Sequence, residues 1–180
     1  MKYYCKLDSE GYIESTNLQL YSLTKAAEEW NKLIYEINEY GSQGVEKLTE
    51  QLVFITTCLG LSLSQLLGQN NPSPEKDKMG DLNNLFSNLL NKTSLSRPDK
   101  KRLNKSFNEM LEYYSAIRHL GKIKNNKHYV TIDELSIDKV EKFRQLTIEI
   151  WDIVISIHRK DENNEIENFR SIADTIDFHE

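Results

Sequence analysis

Apolar positions recur at steps of three and four residues along most of the chain, the spacing that places side chains on one face of an α-helix. From Ser22 onward, Leu23, Ala27, Trp30, Ile34 and Ile37 predict a first helix, and Gly41 follows where a left-handed cap is easiest to form. Glu28 and Lys32 are spaced for an i,i+4 ion pair on its outer side. A second series, Val45, Leu48, Leu52, Ile55, Leu59, Ser62 and Leu66, predicts a helix over 45–67. From Leu52 its other faces are apolar too, with Val53, Phe54, Cys58, Leu61 and Leu63. A helix apolar on most sides is central in a bundle or inside a membrane. Thr56, Thr57, Ser62, Ser64 and Gln65 interrupt this one and Gly60 weakens it. It therefore falls short of the roughly 20 predominantly apolar residues that a span requires, and no membrane association is expected.

The composition of 69–80 is that of a loop, after which Asp81 can cap a short helix carrying Leu82, Leu85, Phe86, Leu89 and Leu90. Its narrow apolar face suits a lid across the bundle. Ser96 is the expected N-cap of the helix that organises the chain, with Pro98 in the first turn, where a missing N–H matters least, and Asp99 at the capping-box position. Leu103, Phe107, Met110, Tyr114 and Ile117 form its apolar stripe, and Leu120-Gly121 ends it. A last long helix over 136–158 is marked by Val140, Phe143, Thr147, Ile150, Val154 and Ile157, widened by Leu146, Trp151 and Ile153. Thr131 to Glu134 has capping-box spacing and can add a turn before it. Ile166, Phe169, Ile172, Ala173 and Ile176 give a short acidic amphipathic helix at the end, and residues 1–17 read as a hairpin or a loose lead-in. The class expected is all-α: one domain over 1–180, an up-and-down bundle of four to five main helices with its core in 22–160 and an acidic tail in 161–180.

Composition adds location and charge. With 180 residues, of which 38% are hydrophobic, the chain is long enough for a proper core. Cys5 and Cys58 lie far apart without metal-ligand spacing, and MKYYCKLDSEG lacks the apolar stretch of a signal peptide, so a reduced, cytoplasmic protein is expected. The net charge of −5 conceals a segregation. Residues 92–127 carry ten Lys or Arg against three acids, while 161–180 carry seven acids against Arg170. A basic middle suits a polyanion, since neutralising phosphates releases counterions. Lys101, Lys105, Lys122, Lys124 and Lys127 are its candidate nucleic-acid contacts. The same charges also suit a solvated helix face, and the acidic tail can fold back on them or engage a protein partner.

Chemistry has one candidate location. Arg118-His119 falls in the last turn of the fourth helix, where the negative end of the helix dipole favours protonated histidine. Arginine can hold a phosphate bidentately, and a histidine near neutral pKa can move a proton at a ribose hydroxyl or a leaving oxygen. The structural alternative pairs Arg118 with Glu141 or Asp152 and leaves His119 as a helix cap. Neither cysteine reads as a nucleophile, and Cys58 is flanked in sequence by Thr57 and Leu59 with no base beside it. His158 and His179 are isolated, and Trp30 and Trp151 belong to apolar stripes. No zinc spacing, phosphate loop or nucleophile elbow is present, so no metal or cofactor is expected.

Residues 107–160, FNEMLEYYSAIRHLGKIKNNKHYVTIDELSIDKVEKFRQLTIEIWDIVISIHRK, resemble the C-terminal half of a HEPN-type helical bundle. In that superfamily an Arg, usually followed by Asn, Asp or His, ends one long helix, and a second His follows after four to six intervening residues. Arg118-His119 matches the first part. The positions for the second His hold Ile123, Lys124 and Asn125, and nine residues separate Arg118 from the nearest candidate, His128. The resemblance implies a homodimer whose paired sites meet across a groove, with metal-independent RNA cleavage in active members and RNA, nucleotide or protein binding in the others. Arg118 would hold phosphate, with His119 or His128 as base or acid. The out-of-register histidine shifts the expectation toward binding.

Overall fold

The computed structural model describes residues 18–69, 82–118 and 135–161. They form five helices, α1 (Leu18–Tyr40), α2 (Leu48–Gln69), α3 (Leu82–Asn91), α4 (Arg97–Arg118) and α5 (Ile137–Asp161), with a 3₁₀ turn at Ser42–Gly44 and no strand among the described residues. The protein is an all-α helical bundle. The 1–17 lead-in, the Asp81 cap, the 131–134 turn and the acidic 162–180 tail lie outside the described residues.

α2 is the hub, packing against each of the other four helices and most extensively against α1. The organising role expected of the fourth helix belongs to the second, because only α2 is apolar on nearly every side. Leu52, Ile55, Leu59, Leu63, Leu66 and Leu67 are all buried. Its interrupting hydroxyls are accommodated. Thr56 Oγ1 donates to the Leu52 carbonyl at 2.8 Å, Thr57 Oγ1 to that of Val53 at 2.8 Å, and Ser64 Oγ to that of Leu61 at 3.0 Å. Contrary to the sequence expectation, Leu48–Gly68 is long and apolar enough to cross a membrane by length and composition, although more than half of its most apolar window is buried within the fold. Its place at the centre of the bundle accounts for that composition.

The α1–α2 hairpin turns at a glycine. Gly41 ends the helix as its position predicts, its N–H bonding the Ile37 carbonyl at 2.8 Å, but its φ 72° and ψ 159° are an extended positive-φ conformation open to glycine and not the left-handed cap expected. Periodicity carries the α2 pattern back to Val45, but Val45 is extended (φ −81°, ψ 106°) and buried, and it plugs the elbow while the helix starts at Leu48. The expected Glu28–Lys32 pair is replaced by other partners: Lys25 bonds Glu28 at i,i+3, while Lys32 lies 3.5 Å from Glu29 at i,i+3 and 3.9 Å from Glu36 at i,i+4.

α3 brings Leu82, Phe86, Leu89 and Leu90 onto α2 and α4, with the Phe86 and Phe107 rings 4.2 Å apart. Ser96 caps α4. Its Oγ accepts the Asp99 N–H at 3.3 Å and donates to the Asp99 carboxylate. Ser136 caps α5 in the same manner, accepting the Lys139 N–H at 3.3 Å. α4 and α5 are antiparallel: Arg102 meets Glu149 near one end, and Tyr113 meets Phe143 and Lys139 toward the other.

Candidate functional site

Arg118 is the last residue of α4. The antiparallel pairing of α4 and α5 puts the start of α5 at the same end of the bundle. Lys139, in the first turn of α5, donates to the Tyr113 hydroxyl, five residues before Arg118, with its ammonium 4.1 Å from the ring centroid. His119, His128, Lys122, Lys124 and Lys127 lie outside the described residues, as does the Arg118 side chain. The Glu141 carboxylate, one of the two expected acid partners of Arg118, is already held within α5. Arg144 Nε and Nη2 reach it at 2.7 and 2.6 Å, and Gln145 Nε2 at 2.7 Å.

Lys101 and Lys105 are exposed on the first half of α4. At 1.5 Å of rise per residue they stand about 25 and 20 Å along the axis from Arg118. Lys101 and Lys105 therefore do not share one end of the helix with Arg118. What the basic middle does form near the α4 N-terminus is a stripe. Arg97, Lys101 and Lys105 follow one another at i,i+4 spacing, about 6 Å apart along the axis, and all three are exposed. None of the three has an ion-pair partner among the described residues. Their neighbours are committed elsewhere. Lys100 Nζ donates to the Thr93 carbonyl at 3.1 Å, and Arg102 grips Glu149 through two bonds of 3.2 and 2.6 Å.

Clefts occur among the described residues both beside α4 and elsewhere. One, of about 170 Å³, lies between α4 and α5 and mixes charges of both signs, with Arg102 and Lys142 opposite Glu109 and Glu149. Another, at the α1–α2 elbow, includes Lys32, Glu36, Tyr40 and Gln51. Sequence reasoning missed the second, although Gln51 stands out as a polar residue beside the Leu52 seam. Burial pushes the Cys58 thiol up to about 11, with Glu29 adding to the shift and Lys25 opposing it, so it is neutral and no nucleophile. No group of three His, Cys, Asp or Glu residues that could hold a metal occurs among the described residues.

The fold and these surfaces define the chain as a helical bundle with a basic helix face. Compared with models of protein families, with curated proteins and with solved structures, it matches none.

Proposed function

We propose that this chain is a HEPN-like helical bundle that binds RNA, with binding rather than cleavage as its activity. The observation that carries the reading is the Arg97-Lys101-Lys105 stripe. Like charges at i,i+4 destabilise a helix by roughly 0.2–0.5 kcal/mol per pair. Folding recovers none of this through ion pairs among the described residues. Phosphates along the stripe would reverse the sign of the interaction and release counterions. Arg118 at the far end of the same helix, followed in sequence by Lys122, Lys124 and Lys127, extends the basic character beyond it. The resemblance adds a homodimer to the proposal, and cytoplasmic location goes with it.

The test is incubation of single-stranded RNA with purified protein in EDTA, alongside Arg118→Ala and His119→Ala variants. The reading expects a retarded but intact RNA. Cleavage lost in both variants would establish the alternative, a metal-independent ribonuclease of toxin or defence type using Arg118 with His119 or His128. Absence of retention at low salt would remove RNA and leave a nucleotide or a partner protein as the ligand.

A further inference from the structure

The elbow between α1 and α2 holds an open cleft of about 390 Å³. At its side stands Gln51, in the first turn of α2 and only 7% exposed. Its Nε2 donates to Glu36 Oε2 at 2.9 Å, which fixes the orientation of the amide, because the reverse would set two acceptors against each other. Its Oε1 is buried and has no hydrogen-bond partner among the described residues. A buried carbonyl without a donor destabilises a fold, and an apolar residue of similar shape would not. Gln51 is thus poorly explained by packing alone.

A donor would complete it, and the surroundings specify which kind. The Glu36 carboxylate, which accepts from the nitrogen of the same amide, also lines the cleft, and a cationic donor suits it. Lys32 does not block that role, since it is 3.9 Å from Glu36 and lies closer, at 3.5 Å, to Glu29, a partner it can keep. Val45 supplies an apolar wall and Tyr40, 68% exposed, a ring at the mouth. Adjacent amide and carboxylate acceptors, an apolar wall and an aromatic ring match a planar, forked guanidinium on an alkyl stem better than a compact ammonium.

We propose that the elbow cleft binds an alkylguanidinium group, carried by an arginine side chain or by a free small molecule. The test is a ¹H–¹⁵N NMR titration of the full chain with ethylguanidinium chloride, a capped Gly-Arg-Gly peptide, ethylammonium chloride and, at equal ionic strength, sodium chloride. Ethylguanidinium should give saturable shifts of the Gln51 side-chain amide and of backbone amides in 40–46, ethylammonium weaker ones, and sodium chloride none. Peptide shifts at the same resonances would identify the arginine of a polypeptide as an admissible occupant; a silent peptide beside an active small probe would restrict the cleft to free ligands. Glu36→Gln still accepts from Gln51 but lacks the charge, and Gln51→Leu removes the orphaned acceptor, so each should weaken binding by about tenfold or more. Shifts that fail to saturate, that sodium chloride reproduces, or that persist unchanged in both variants would overturn the proposal.

Discussion

The indole N–H of Trp151 on α5 donates to the Ser62 hydroxyl on α2 at 3.0 Å, in a part of the core where both residues are fully buried. This bond ties the hub helix to the last helix and explains why an apolar seam contains a serine. Ser62→Ala should lower stability by about 1–3 kcal/mol in urea denaturation, because the buried indole N–H loses its Ser62 acceptor. In a Trp151→Phe background the same change should cost less than about half as much, since no donor remains to be orphaned. Equal costs in the two backgrounds would show that the bond contributes nothing.

Gly60 on α2 faces the Tyr114 ring so closely that an added Cβ would overlap it. Helix propensity alone predicts that Gly60→Ala stabilises by roughly 0.5–1 kcal/mol. The packing predicts the opposite sign, a loss of about 1–3 kcal/mol from overpacking, because Tyr114 is 4% exposed with little room to yield. Thermal unfolding of Gly60→Ala, and of a Gly60→Ala/Tyr114→Ala pair compared with Tyr114→Ala alone, where every contacting ring atom is gone, separates the two effects. A stabilised single variant would contradict the close approach.

Cys58 should react sluggishly. Its thiol is raised from an ordinary 9.0 to about 11, chiefly by burial, so almost no thiolate exists at pH 8. In a Cys5→Ser background, modification by a disulfide reagent at pH 8 should be roughly tenfold or more slower in the native protein than in urea. The linkage has a definite sign. Above pH 9 the unfolded chain loses this proton first, so the group's contribution is present below 9 and is lost as the pH rises toward 11. Stability of Cys58→Ser should therefore decline less steeply across that interval than that of the parent.

The bundle was legible because its signals are local. Ser96 announces its helix by a cap, Gly41 ends α1, and the stripes of α4 and α5 name their buried residues. The difficulties arose where one position serves two elements. Val45 continues the α2 period yet sits in the elbow, since a buried extended residue satisfies the same apolar pattern as a helical one. Gly60 reads as a weak point until Tyr114 is placed against it, and Lys32 chooses among several carboxylates within reach. The basic middle was legible as composition but not as geometry, because charge counted along a sequence does not register that a 22-residue helix holds its ends apart.

The central claim is that the exposed α4 stripe contacts RNA phosphates, and the most direct measurement is the salt dependence of binding to a fluorescent single-stranded RNA. Each phosphate neutralised on a single strand contributes about 0.7 to the slope of log Kobs against log salt, so a Lys101→Ala/Lys105→Ala variant should bind more weakly with a slope shallower by about 1.4. Arg102→Ala should leave that slope nearly unchanged, since its guanidinium is engaged by Glu149. No binding at low salt, or the same slope in parent and double variant, would contradict the account.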